Sequence, residues 1–341
     1  MSVLKRSSYY LAGVLIALLG AELFFRSAEI DLAYHVLDPN LGKALQPGHP
    51  IIMLKDGFYL GAANEFGYLG PAYPRDRAED TFRIALLGDS YTEGLHLAER
   101  YHFRTLLERT LRTATAQEVE VLNFGMGGFS FADSYAYLNT FAASFEPDLV
   151  VFTLAAVDFA GSTNFAPGPR PALVDEQVTL DYGFRDEPAY QTYRVLKPLI
   201  DHSSVFKVAS NAVKLTQRGE APQILFGKLA KLWRKTRSPT ENPPFELSAL
   251  TERMLQELGR RQTLLAFIGE VPAELRDAVT SAGLPSVLVD EAFVDLEAFG
   301  VHPRYWPATD RLGHWNHAGQ AAVAELLARE ILALDPEGLR R

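Results

Sequence analysis

The chain has 341 residues, 48% of them hydrophobic and 22% charged, which is enough apolar material to bury one large α/β core, and no compositional break near the middle argues for two globular domains. Its formal net charge of -9, from 33 Lys and Arg against 42 Asp and Glu, leaves no basic footprint for a phosphate backbone, so no nucleic acid partner is expected. The absence of cysteine excludes disulfides, thiolate metal sites, a cysteine nucleophile and an acylated lipoprotein cysteine, and fits either a periplasm or a cytosol.

Residues 8–25 form an apolar run of about 18 residues, the lower edge of what crosses a hydrocarbon core as a helix, interrupted by Glu22 alone. Lys5 and Arg6 precede it, so the positive-inside bias leaves the N-terminus in the cytoplasm and the rest of the chain in the periplasm of a bacterial inner membrane. An uncleaved single-pass anchor over residues 1–30 is the leading expectation. A cleaved signal lacks a clean small-x-small site before Phe24, Phe25 and Arg26, and a buried core helix is the third reading.

Residues 31–80 are rich in proline, glycine and isolated aromatics without sustained periodicity, and read as an irregular lead-in laid over a domain that begins at 81. A buried strand over 83–87 then ends in a tight turn that carries Ser90. A helix with Phe103, Leu106, Leu107 and Leu111 follows, then a strand over 119–123 running into a glycine-rich turn, a helix over 134–145, and an apolar strand introduced by Pro147 and Asp148. This alternation predicts a parallel sheet with helices on both faces. The pattern loosens over 161–245, read as an insertion that includes a hairpin near 173–184 and a basic amphipathic helix over 223–237, suited to anionic lipid or to packing its apolar stripe on the domain. It resumes with a helix over 246–259, strands over 263–269 and 286–290, a helix over 273–283 and a last helix over 318–334, for about five parallel strands.

The residues suited to chemistry sit at the ends of these strands. The segment IALLGDSYTEG places Ser90 at the carboxyl end of the first strand, and it resembles the first block of the SGNH/GDSL serine hydrolases, a flavodoxin-like family of esterases, lipases, thioesterases and carbohydrate acetylesterases. The turn NFGMGGF is similar to the second block, which makes Gly128 an oxyanion donor. TDRLGHWNHAGQ resembles the last block, which makes His314 the base, with Asn316 and Gly319 after it. A serine hydroxyl at neutral pH needs such a base to take its proton. His317 and His302 compete for that role on the sequence alone.

The resemblance implies a flavodoxin-like three-layer sandwich, catalysis by Ser90, His314 and Asp310, oxyanion or substrate contacts from Gly128, Asp89 and Asn316, and neither metal nor other cofactor. Two features depart from the family pattern. Asp310 stands four residues before His314 instead of three, and the block that usually reads G-x-N-D becomes Ala155, Val157 and Asp158, so the side-chain amide that donates to the oxyanion is missing. Losing one such donor costs about 2.7–4 kcal/mol in serine hydrolases, and Asn164, just downstream, is the expected replacement. The implied substrate is an ester, preferably an O-acyl group on an envelope or secreted polysaccharide. Two other outcomes stay open: transfer of the acyl group to a sugar hydroxyl, and a binding or assembly module for envelope polysaccharide machinery that kept the fold.

Overall fold

The computed structural model describes residues 3–27, 34–54, 56–115, 117–160, 167–217 and 245–339. Its contacts divide the chain into two units: Met1–Tyr34 with Asp186–Pro243, and His35–Arg185 with Pro244–Arg341. Asn164 and the basic segment 223–237 lie outside the described residues.

The second unit is built on five parallel strands: β1 (Thr81–Gly88), β2 (Glu118–Asn123), β3 (Leu149–Ala155), β4 (Thr263–Ile268) and β5 (Ser286–Leu288). Their order across the sheet is β5-β4-β3-β1-β2, the flavodoxin-like arrangement in which the chain first adds β2 on one side of β1 and then turns back to add β3 on the other. β1 is buried along its whole length, as expected of a parallel strand covered on both faces. Phe82, Ile84 and Leu86 join Val121, Val151 and Ala266 in a core closed by Leu107 and Leu111 of helix Phe103–Ala114 and by Val323, Leu327 and Ile331 of helix His317–Leu334. Rings of Phe124, Tyr137, Phe141 and Phe145 pack edge to face or tilted against one another in a separate aromatic cluster. Burying one side chain of this size contributes about 1.5–3 kcal/mol.

The lead-in departs from the irregular structure expected of it. It contains two antiparallel hairpins, His35–Asp38 with Gly42–Leu45 and Pro50–Met53 with Tyr59–Ala62. Strands of four residues are too short to show a period of two, which is why the composition alone suggested loops. The expected hairpin in the 161–245 segment forms as Arg170–Val174 with Gln177–Asp181, its two-residue turn supplied by Asp175 and Glu176 at φ of 49° and 63°.

In the first unit, helix Val3–Ser27 includes a stretch, Tyr9–Ser27, long and apolar enough to cross a membrane, with a mean hydropathy of 1.5. Glu22, the one acid in the run, has a structural explanation. Its carboxylate accepts from Ser203 Oγ (2.8 Å) and from the N–H groups of Ser204 and Val205 (3.0 Å each), at the N-terminus of helix Ser204–Gln217. An acid there satisfies N–H groups that have no partner inside the helix and meets the positive end of its dipole.

Gly88 closes β1 with φ at +153°, and a Cβ built on it falls 2.2 Å from the Thr153 carbonyl oxygen on the neighbouring strand β3. Gly88→Ala therefore has to part β1 from β3 immediately before Ser90. We expect it to lower the stability of the chain by about 1–3 kcal/mol in urea unfolding.

Candidate active site

In a doubly wound sheet the crevice opens at the carboxyl ends of the strands where the winding reverses, which here is between β1 and β3. β1 delivers Ser90 to that point. Asp89 caps a single helical turn, Ser90–Glu93, its carboxylate accepting from Tyr91 N at 2.9 Å, so Ser90 is the first helical residue. The chain after β2 continues alongside: Phe124 N donates to Leu86 O and Met126 N to Gly88 O, which brings the 124–128 turn against Ser90. A Cβ on Gly127 would sit 3.6 Å from Ser90 Cβ. Gly128 follows at φ +79°, a left-handed conformation suited to glycine, and its open side faces no atom within 4 Å. Among the described residues no acceptor takes the Gly128 N–H.

His314 Nε2 stands 2.8 Å from Ser90 Oγ, and its Nδ1 stands 2.6 Å from Asp56 Oδ2. The same carboxylate oxygen accepts the His314 backbone N–H at 3.1 Å. An ionised carboxylate only accepts, so it holds the proton on Nδ1 and leaves the Nε2 lone pair to the serine O–H. Asp56 and His314 are both largely withdrawn from solvent, with side-chain exposures of 10% and 16%. Gly313 allows the approach, since a Cβ there would lie 2.4 Å from Asp56 Cγ, and Trp306 Nε1 anchors the His314 carbonyl at 2.8 Å. The His96 ring stacks on His314 at 4.7 Å and 23°, and the Tyr91 ring covers it at 4.7 Å and 52°. These contacts fix the plane of the imidazole.

The expectation that Asp310 would orient His314 is corrected by this geometry. Asp310 accepts from the Tyr305 hydroxyl at 2.9 Å, on an exposed turn where it adopts φ 49°, and the carboxylate on His314 is that of Asp56. Asn316, expected to contact substrate, instead spends both ends of its amide on structure. Its Nδ2 donates to the carbonyls of His302 and Tyr305, and its Oδ1 caps the last helix at Gly319 N. His317 packs on Tyr101 and Trp306, and His302 Nδ1 accepts from Arg304 N, so neither competes with His314 for the serine. Val157 stands at the end of β3 with 64% of its surface exposed and no donor to offer.

Sequence reasoning missed Asp56, His96, and the pair His35 and Lys43. His35 Nε2 lies 3.2 Å from Glu93 Oε1, and Lys43 Nζ donates to the Gly127 carbonyl. No local motif marks any of them; the Asp56-Gly57 dipeptide is a turn signal only.

No protein-family model matches this chain, and none of the curated proteins matches it. Among solved structures it is similar to the lipase/acylhydrolase from Enterococcus faecalis, with a TM-score of 0.40 and 16% identity over 74% of this chain and 96% of that one. It is also similar to a two-domain esterase (CEX) active on acetylated mannans, with a TM-score of 0.37 and 16% identity over 76% of this chain and 51% of that one. A third is the acetyl xylan esterase AlAXEase, with a TM-score of 0.37 and 14% identity over 73% of this chain and all of that one (100%).

The site also holds two acids whose pKa values burial raises. The Asp89 carboxyl is pushed up to about 7, first by desolvation and further by the negative fields of Asp158 and Glu93, against the pull of the Tyr91 N–H. Asp158, which accepts from Ala155 N, is raised to about 6 by desolvation. A carboxyl whose folded pKa exceeds its unfolded value stabilises fully below the unfolded value, and that contribution is lost as pH rises through the folded one. For Asp89 the window runs from about 4 to about 7. Asp89→Asn keeps an acceptor for Tyr91 N and removes the titration. Its melting temperature relative to wild type should therefore be higher at pH ~8 than at pH ~5, read by thermal unfolding; a pH-independent difference would show that Asp89 does not titrate in this window.

Proposed function

We propose that the protein is an SGNH/GDSL-type serine esterase that works through a covalent acyl-enzyme. The observation that carries this reading is the continuous chain from Ser90 Oγ to His314 to Asp56, at 2.8 and 2.6 Å. Ser90 Oγ attacks the ester carbonyl carbon as its proton passes to His314 Nε2. Negative charge develops on the carbonyl oxygen, which faces the N–H groups of Ser90 and Gly128. The ester C–O bond breaks, the alcohol leaves with the proton from His314, and the acyl group remains on Ser90. Water repeats the cycle: His314 accepts its proton, hydroxide adds to the acyl carbon, and the acid departs as Ser90 recovers its hydrogen. Asp56 stays ionised throughout and stabilises the imidazolium.

The substrate class we propose is an O-acyl, preferably O-acetyl, group on a carbohydrate outside the bacterial inner membrane. Support comes from the N-terminal helix, which suits a single-pass anchor preceded by Lys5 and Arg6, and from the resemblance of the Ser90, Gly128 and His314 segments to a family that includes carbohydrate acetylesterases.

Reaction of the detergent-solubilised chain with an activated fluorophosphonate tests the site. Wild type should label, and Ser90→Ala and His314→Ala should not. Asp56→Asn should slow p-nitrophenyl acetate turnover by ~10³–10⁴-fold, the loss expected when the orienting carboxylate is neutralised, whereas Asp310→Asn should stay within about 3-fold of wild type because it touches neither His314 nor Ser90. The opposite ranking of the two aspartates would return the role to Asp310.

A further inference from the structure

We infer, building on the esterase reading above, that Lys43 is a positioning residue of the oxyanion site, acting through the peptide that joins Gly127 to Gly128. A trans peptide unit is planar, and its carbonyl and N–H point in opposite directions. The carbonyl of this unit is the Gly127 oxygen, and its N–H is that of Gly128, the oxyanion donor of the proposed reaction, one residue after Gly127, whose Cβ position lies 3.6 Å from Ser90 Cβ. Lys43 Nζ donates to the Gly127 oxygen. The ammonium therefore holds one end of the unit while the other faces the place where the oxyanion forms.

Two effects follow. A charge-assisted hydrogen bond to the carbonyl fixes the rotation of a peptide flanked by two glycines, which otherwise has wide conformational freedom. It also draws electron density toward the carbonyl oxygen, so the Gly128 N–H becomes a stronger donor, the polarisation that runs along hydrogen-bonded chains in a low-dielectric interior. Lys43 is built in for such a task. It lies on strand Gly42–Leu45, its own N–H donates to Pro167 O at 2.7 Å, and its ammonium sits 5.9 Å from the Phe129 ring centroid. Glu93, whose Oε2 lies 2.7 Å from the Cβ position of Gly127, is engaged through its Oε1 by His35 at 3.2 Å. With Val157 where an amide side chain is usual, the site leans more heavily on the Gly128 N–H, and so on the cation behind it.

The test uses the full-length chain in detergent with p-nitrophenyl acetate as the probe, comparing wild type, Lys43→Met, Lys43→Arg and Ser90→Ala. Lys43→Met should lower kcat by ~10-fold or more, short of the ~100–1000-fold that follows outright loss of an oxyanion donor. KM should stay within about 2-fold, because the contact matters only once charge develops. The fluorophosphonate labelling rate should fall in step with kcat, and Lys43→Arg, which keeps a charged donor, should recover most of both. An active wild type whose Lys43→Met variant keeps its kcat, or whose Lys43→Arg variant is as impaired as Lys43→Met at equal thermal stability, overturns the role of Lys43 alone. A wild type no more active than Ser90→Ala overturns the esterase reading and the inference with it.

Discussion

One carboxylate oxygen, Asp56 Oδ2, accepts both N–H groups that His314 presents to it, and the rest of the site is arranged so that it can. The side-chain bond sets the tautomer, and the backbone bond sets where the loop carrying His314 must lie. Gly313 has no side chain because Asp56 occupies that space, Trp306 fixes the His314 carbonyl, and Thr309 Oγ1 ties back to the Asp56 carbonyl at 3.2 Å. Asp56 itself adopts φ 64°, an otherwise costly backbone conformation, between the paired strands Pro50–Met53 and Tyr59–Ala62, which hold it at a defined point. A carboxylate withdrawn from water is stable there because it is paired and hydrogen-bonded.

The sheet supplies the other half. With order β5-β4-β3-β1-β2, the reversal of winding leaves a crevice over the ends of β1 and β3, and the segments after β1, β2 and β3 place Ser90, Gly128 and Val157 around it. The same crevice draws Asp89 and Asp158 out of water, and burial answers by raising their pKa values to about 7 and about 6. That desolvation costs stability as the pH rises through those values.

What was legible in the sequence follows from how local each signal is. The pairing of Ser90 with His314 could be anticipated because Ser90 follows a buried strand within two residues and His314 stands just before a helix with its own cap. The sheet was legible for the same reason: apolar runs bounded by turns are properties of the segment. Asp56 was not. It lies 258 positions from its partner, and a hydrogen bond over that separation leaves no spacing to read. Asp310 attracted the role by proximity to His314 in the chain, but its positive φ sends the carboxylate to Tyr305. Asn316 matched a motif and serves the helix instead, since an Asn before an apolar helix is first a cap.

The α/β core alone would still hold Ser90, Gly128 and the loop bearing His314, yet the imidazole would have no acid behind it and the Gly127 carbonyl no cation. Both groups come from hairpins that precede the first core strand: Asp56 from one and Lys43 from the other. They act at opposite ends of the proposed reaction, Asp56 on the base that takes the proton and Lys43 on the peptide that faces the oxyanion. Valine at the end of β3 fits this division, because a site that draws its electrostatics from behind the peptide has less need of a side-chain amide at the mouth.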